Sequence, residues 1–91
     1  MIEDLVGQEL ESPWLEISQG RIDEFAHATD DPQWIHTDPE RAAAGPFGTT
    51  IAHGFLTLSL VVPLFERSLP ELEAVGMTLN YGLNRVRFTS P

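Results

Sequence analysis

An acid and an imidazole, Asp31 and His36, stand five residues apart in the segment Asp-Asp-Pro-Gln-Trp-Ile-His. On an α-helix this offset corresponds to about 140° around the axis, so the two side chains would not share a face. Pro32 also disfavours a helical conformation at Asp31. The pair is therefore predicted to lie on a loop that turns both side chains toward one point, with neither in the core. Such a pair suits general acid–base catalysis.

A second candidate feature is His53-Gly54, which opens a long apolar helix. The backbone N–H at Gly54 would lie at the positive end of that helix, where it can hydrogen-bond a carbonyl oxygen. His53 is expected to cap the helix or to pack. Ser59 looks buried, with its hydroxyl bonded to a carbonyl one turn earlier or directed at the acid–imidazole pair. Together the two features favour acid–base chemistry on a carbonyl-containing substrate.

Simpler interpretations stay open for each feature. Asp31 and His36 are equally compatible with a turn carboxylate and a surface histidine. Gly54 also suits a helix start that packs closely. A metal site built from His36, His53 and a carboxylate lacks any typical ligand spacing, so no metal is predicted. His27 falls on the polar side of a helix and is expected to face solvent.

Composition narrows the class of protein. The 91 residues fit a single domain, and 14 acidic residues against 5 arginines give a net charge of -9. Nucleic acid is a poor partner for such a chain, although a few arginines suffice for a phosphate-bearing ligand. The absence of cysteine excludes disulfides and thiolate chemistry. With no signal peptide and no apolar run long enough to span a bilayer, a cytoplasmic protein is expected.

Apolar periodicity and capping residues predict the elements that position these side chains. Ser18 is the expected N-cap of a helix over Gln19–Thr29, and Asp38 with Pro39 begins a short helix ending at Ala44. The apolar helix is predicted from Gly54 to about residue 69, buried on most sides and bent at Pro63. The remaining predictions are an arm over residues 1–13, strands over residues 14–18, 76–80 and 84–89, and a connection over residues 69–72.

Three segments carry a family resemblance, and together they cover nearly the whole chain after Trp14. The first is Phe25-Ala26-x-Ala28-Thr29-x-Asp31-x4-His36-x-Asp38-Pro39. The others are Ile51-Ala52-His53-Gly54-Phe55-Leu56-Thr57-Leu58-Ser59-Leu60 and Asn80-Tyr81-Gly82-x-Asn84-Arg85-Val86-Arg87-Phe88-x-x-Pro91. In this order they resemble the MaoC-like dehydratases, the (R)-specific enoyl-CoA hydratases. Asp30 departs from the glycine that is usual there, and Gln33-Trp34 replaces the common Asn-Pro.

The resemblance implies an α+β hot-dog fold, in which an antiparallel sheet wraps a long helix, over residues 14–91, and a homodimer. It implies reversible syn hydration of a trans-2-enoyl-CoA to the (R)-3-hydroxyacyl-CoA, a reaction of fatty acid metabolism. Asp31 would act as base and His36 as its partner and acid, although their order stays open. The remaining site residues would be Gly54 as oxyanion donor, Ser59 and His53 in support, and Phe47, Ile51 and Phe55 around the acyl chain. No cofactor is implied, because coenzyme A arrives with the acyl-CoA or acyl-carrier substrate.

Three alternatives and one structural expectation accompany this hypothesis. The chain would otherwise be a non-catalytic acyl-binding subunit, a hot-dog thioesterase or an inactive fragment. Only three strands are predicted, whereas typical sheets have about five or six, so the domain is expected to lack C-terminal strands. In that case Leu58, Val61, Val62 and Phe65 would be partly exposed, and the isolated chain would be inactive.

Overall fold

The computed structural model describes residues 2–69 and 76–91, and its regular elements are helices. A 3-10 helix, Ile2–Leu5, is followed by five α-helices. They are α1 (Gln19–Thr29), α2 (Trp34–Thr37), α3 (Pro39–Ala43), α4 (Gly54–Ser59) and α5 (Val61–Ser68). The predicted bounds of α1 are confirmed, and the start of the apolar helix at Gly54 is confirmed as well. The predicted connection after residue 69 lies outside the described residues.

Helix α1 begins and packs as its local sequence predicts. The Ser18 backbone is extended, and its Oγ accepts a hydrogen bond from the Arg21 N–H at 3.1 Å. This bond satisfies one of the amide groups that the first turn of a helix leaves free. Ile22 and Ala26, four residues apart, are buried on the same face, whereas His27 is exposed as predicted. The buried face fixes α1 against the rest of the chain.

Asp30 ends α1 in the left-handed conformation, with φ 57° and ψ 39°. The N–H groups of Asp30 and Asp31 both donate to the Ala26 carbonyl oxygen, so the chain turns sharply away from the helix axis at this residue. Left-handed backbone favours glycine, and aspartate is among the few other residues that tolerate it. The turn explains how Asp31 leaves the helix immediately after α1.

We expect Asp30→Val to lower the free energy of unfolding by about 1–2 kcal/mol, because a β-branched residue fits left-handed backbone poorly. Asp30→Gly should stay within about 0.5 kcal/mol of the parent chain, as for an exposed site without a special constraint. Urea unfolding followed by circular dichroism measures both values. As a control, Glu24→Val places the same side chain at an exposed α1 position with ordinary helical backbone. An equal loss in both valine variants would contradict the assigned strain.

Helices α2 and α3 meet at Asp38, which ends the first and caps the second. The Asp38 N–H donates to the Trp34 carbonyl oxygen, and its carboxylate accepts the Arg41 N–H at 3.1 Å. The Arg41 guanidinium also lies 4.4 Å from the centre of the Trp34 ring. The predicted cap at Asp38 is confirmed. The prediction that the Asp31–His36 pair lies on a loop is wrong for His36, because α2 places this residue on a helical turn.

The apolar helix is interrupted, and Pro63 accounts for the break. Proline has no N–H to donate to the Ser59 carbonyl one turn earlier, and its ring would clash with that carbonyl. Helix α4 accordingly ends at Ser59, and α5 begins at Val61 with the proline in its first turn, where its N–H is not needed. The Leu60 backbone, at φ -74° and ψ -7°, joins the two helices.

A small apolar core connects α1 with α4. Ile22, Leu56 and Leu60 are its buried members. The partly buried side chains packed around them are Leu15, Ile17, Phe25, Ala52 and Leu64. The core therefore contacts the segments on both sides of His53, and it fixes the start of α4 relative to α1.

The predicted strands are not formed within residues 2–69 and 76–91. Residues 14–18, 76–80 and 84–89 carry no strand assignment, so the hot-dog sheet is a family expectation and not an observed feature. A strand requires a neighbour that accepts and donates its backbone hydrogen bonds. Val61, Val62 and Phe65 of α5 are exposed, as expected for an apolar helix without a sheet against it, and Leu58 is half-buried. Among the described helices, none has the length and apolar character that crossing a membrane would require.

Candidate active site

Three side chains from different segments converge beside the N-terminus of α4. Asp31 follows α1, His36 lies on α2, and His53 immediately precedes Gly54. One carboxylate oxygen and one ring nitrogen from each histidine all lie within 4.8 Å of one another. This spacing places the Asp31 carboxylate and the His36 imidazole within reach of a single bridging water.

His36 is buried, with 7% of its surface exposed, so the expectation that neither residue of the pair belongs to the core is wrong for this residue. Its Nδ1 lies 2.7 Å from the Ile51 carbonyl oxygen. Because a carbonyl can only accept, Nδ1 carries the hydrogen, and a neutral His36 has its lone pair on Nε2. Among the described residues Nε2 has no hydrogen-bond partner, yet it is not fully enclosed. It is therefore available to a ligand.

Gln19, the first residue of α1, links the His36 backbone to the Thr50 side chain, and sequence reasoning missed it. Its Nε2 donates to the His36 carbonyl oxygen at 2.7 Å, and its Oε1 accepts the Thr50 hydroxyl at 2.6 Å. The Ile51 N–H also donates to the Ile35 carbonyl oxygen at 3.0 Å. These bonds join α2 to the segment before α4. No local sequence pattern predicts this role of Gln19, because its hydrogen-bond partners are 17 and 31 residues away.

His53 is more deeply buried, with 2% of its surface exposed. Its ring stacks on that of His36, with the centroids 3.8 Å apart and the planes 21° from parallel. On another side, the Phe25 ring centre lies 4.9 Å away. The side chain makes no capping bond to α4, so the expectation that it packs is confirmed.

Asp31 is the accessible member of the group, since its side chain is 52% exposed. Its carboxylate Oδ2 lies 3.9 Å from His53 Nε2, and its backbone carbonyl oxygen lies 3.0 Å from the same nitrogen. The carbonyl bond means that His53 Nε2 carries a hydrogen. Asp31 is therefore held through its backbone, while its carboxylate stays open to solvent.

An open cleft of about 770 Å³ lies beside His36. Its wall includes Phe47, Ile51, Gly54 and Phe88. Phe47 and Ile51, which were expected around an acyl chain, thus share a cleft with the imidazole. Mostly apolar walls beside one titratable group are typical of small-molecule sites.

Two residues expected at the site lie elsewhere. Phe55 is 69% exposed and does not line the cleft; the centres of its ring and the Phe88 ring are 5.9 Å apart in a T-shaped pair. It follows Gly54 by one residue, and a helix turns by about 100° at that step. Ser59, expected to be buried, is exposed, and its hydroxyl donates to the Phe55 carbonyl oxygen at 2.7 Å. The alternative of a local backbone bond for Ser59 is confirmed.

At the start of α4 there is space for the glycine at position 54 but not for a larger side chain. A Cβ built on it would lie 2.7 Å from Cδ2 of Phe88, closer than such carbon atoms approach. Its N–H belongs to the first turn, where no intrahelical acceptor exists, and it has no acceptor among the described residues. Gly54 lines the same cleft as His36.

The same three side chains provide potential metal-ligand atoms, but their geometry fits a metal poorly. The lone pairs of His36 and His53 lie in ring planes that are stacked, so they run side by side and do not meet at one point. One nitrogen of each ring is also directed at a carbonyl oxygen. The expectation of a site without metal stays a prediction that this geometry favours.

Comparison with known proteins places this site in a family. Residues 2–91 match the MaoC like domain. A 3-hydroxyacyl-thioester dehydratase Z from Mycobacterium tuberculosis is 56% identical over 86 residues, covering 94% of this chain and 54% of the relative. Nodulation protein N from Rhizobium leguminosarum is 56% identical over 88 residues, covering 94% and 55% respectively. A 3-hydroxybutyryl-CoA dehydratase from Methylorubrum extorquens is 41% identical over 68 residues, covering 72% and 43%.

The chain belongs to the MaoC-like dehydratase family, and the resemblance seen in the sequence is confirmed. It spans about half the length of the curated relatives it matches. The family assignment therefore concerns residues 2–91, which include the Asp31–His36 pair, and not the remaining half of the relatives.

Proposed function

We propose that this domain carries the acid–base site of an (R)-specific enoyl-thioester hydratase. It would catalyse the reversible syn addition of water to a trans-2-enoyl-CoA, giving the (R)-3-hydroxyacyl-CoA. The observation that carries the proposal is the approach of the Asp31 carboxylate and the two imidazoles to within 4.8 Å. The names of two relatives, a 3-hydroxyacyl-thioester dehydratase and a 3-hydroxybutyryl-CoA dehydratase, support the same chemistry.

In the hydration direction, the dyad of Asp31 and His36 holds the attacking water. Because Nδ1–H of His36 is directed at Ile51, the lone pair that faces a ligand is on Nε2. This arrangement favours His36 as the base and Asp31 as the carboxylate that orients the water and stabilises the imidazolium, the reverse of the order expected from the sequence. The water oxygen bonds to C3 as its proton moves to Nε2. The imidazolium then transfers that proton from Nε2 to C2 on the same face, which completes the syn addition and returns His36 to its neutral form.

Negative charge moves from the double bond to the thioester oxygen while the C3–O bond forms. The N–H of Gly54 is the proposed donor to this oxygen, since it lines the same cleft as His36 and has no acceptor among the described residues. A donor aimed at such an oxygen typically contributes about 3 kcal/mol to lowering the barrier. Acid–base chemistry and this one donor suffice for the reaction, so no cofactor is proposed beyond the coenzyme A of the substrate.

Further proposals concern the protein as a whole and its substrate. It would act as a homodimer in the cytoplasm. The acyl chain of the substrate would lie along the wall that Phe47 and Ile51 form in the cleft. A substrate carried by an acyl carrier protein would present the same thioester as coenzyme A does.

Incubation with crotonyl-CoA separates this function from the rival ones. A hydratase lowers the enoyl absorbance without releasing thiol, whereas a thioesterase on the same fold releases free coenzyme A. An acyl-binding subunit without catalysis changes neither signal, although it retains the ligand. Detection of thiol without hydration, in the protein that contains this domain, would overturn the proposal.

A further inference from the structure

We propose that His53 is a positioning residue that holds both members of the dyad in one geometry and transfers no proton itself. The inference rests on the proposed function, because it concerns the same dyad. Its observations are separate, however, since they are contacts of a buried histidine to which that mechanism gives no step. His53 has contacts with each of the two dyad residues.

The contact with His36 fixes the orientation of its ring. The bond from Nδ1 to the Ile51 carbonyl oxygen restrains the ring within its own plane. The stack on His53, with a centroid distance of 3.8 Å, restrains tilting out of that plane. Together the two contacts direct Nε2, the nitrogen available to a ligand.

The contact with Asp31 is made to its backbone. Nε2–H of His53 donates to the Asp31 carbonyl oxygen at 3.0 Å, directly after the left-handed turn at Asp30. The Asp31 side chain is largely open to solvent, so this bond restrains the residue more than any contact of its carboxylate does. One imidazole thereby fixes the distance between Asp31 and His36.

The second nitrogen of His53 explains why this residue holds groups and does not carry protons. Nδ1 is buried and has no hydrogen-bond partner among the described residues. The ring is enclosed by His36 on one side and Phe25 on another, and the one carboxylate near it, that of Asp31, approaches Nε2. A hydrogen on Nδ1 would have no acceptor among the described residues, whereas a hydrogen on Nε2 has the Asp31 carbonyl oxygen as its acceptor. The contacts therefore favour the tautomer with hydrogen on Nε2.

A histidine that merely fills space in the core would not direct its neighbours in this way. Two variants of His53 separate the two contacts. His53→Phe retains an aromatic ring against His36 but has no N–H for the Asp31 carbonyl. His53→Gln retains an N–H donor but has no ring to stack. His27→Gln, at an exposed histidine of α1, is the matched control.

NMR of this chain, with nitrogen-15 signals of the histidine side chains and the carbon-13 signal of the Asp31 carbonyl, tests the inference without an activity assay. In the parent chain, His53 should carry its hydrogen on Nε2, and His36 should carry its hydrogen on Nδ1. His53→Gln should give a mixture of His36 tautomers, whereas His53→Phe should retain the single tautomer and shift the carbonyl signal of Asp31. His27→Gln should change none of these signals. The inference is overturned if His53 bears its hydrogen on Nδ1, or if each folded variant leaves both dyad signals as in the parent.

The effect of the two His53 variants on catalysis is measured as crotonyl-CoA hydration by the protein that contains this domain. Either variant should lower kcat by about tenfold to a hundredfold, as expected when a reacting group is misplaced by about 1 Å. KM should stay within about twofold, since His53 does not line the cleft. Loss of His36 tautomer control with unchanged kcat would contradict the role in positioning for catalysis. Absence of hydration in the parent protein would instead reject the proposed function, and the NMR result would still stand.

Discussion

Replacing Asp31 with Asn, or His36 with Gln, is expected to lower the rate of crotonyl-CoA hydration by at least about a hundredfold. The amide that replaces the Asp31 carboxylate cannot stabilise an imidazolium as the carboxylate does, and the amide that replaces the His36 ring has no lone pair of comparable basicity. Initial rates at saturating substrate measure the loss in kcat. The loss should appear in each single variant, and the double variant should be little worse, because the two groups act as a unit.

The chain offers a matched control for each of these substitutions. Asp30→Asn removes the neighbouring carboxylate and keeps a residue that tolerates left-handed backbone, and His27→Gln removes an exposed imidazole. Both control variants should retain nearly full activity. His36 is buried, so circular dichroism must show that its variant is folded before the rate is interpreted. Near-normal kcat in a folded Asp31→Asn or His36→Gln variant would refute the assignment of the dyad.

Gly54→Ala is expected to cost about 1–3 kcal/mol of stability and most of the activity, because the new methyl group would overlap the Phe88 ring. Displacing that ring also changes the wall of the cleft beside the proposed oxyanion donor. Thermal unfolding and kcat/KM measure the two effects. Both losses should shrink when Gly54→Ala is combined with Phe88→Ala, which provides space for the methyl group.

Gly20→Ala is the control for this substitution. Gly20 also lies in the first turn of a helix, but a Cβ there would meet only the Ser18 Oγ, at an ordinary distance of 3.9 Å. Alanine at this position should be neutral or stabilising. If Gly54→Ala and Gly20→Ala behave alike, the close contact with Phe88 has no energetic consequence, and its role in the cleft is refuted.

The sequence was sufficient for the features that depend on neighbouring residues. The caps at Ser18 and Asp38 require only a side-chain oxygen and an N–H three residues later, so the pattern alone reveals them. The interruption caused by Pro63 is likewise local. Asp31 and His36 are predicted from the sequence to converge from a loop; one atom of each does lie within 4.8 Å of the other, although His36 stands on a helical turn.

The features that were missed depend on residues far apart in the chain. The burial of His36 results from the Ile51 carbonyl, the Gln19 amide and the His53 ring, none of which lies near it in the sequence. The Asp30 turn was visible only as a departure from the family glycine. Strand pairing depends even more on distant partners, because a strand without a neighbour leaves its backbone unpaired. Residues 84–89 illustrate this, since their apolar alternation predicted a strand that the described residues do not form.

The interruption at Leu60 divides the apolar segment into two short helices, α4 and α5, which do not form one continuous helix. The first carries His53 and Gly54 at its start, and the second exposes Val61 and Phe65. A change in the direction of α5 relative to α4 therefore requires only a change in the backbone at Leu60, where the two helices are joined. We expect substitutions on the exposed face of α5 to leave the start of α4 in place. The sequence of α5 can therefore change while the start of α4 is preserved.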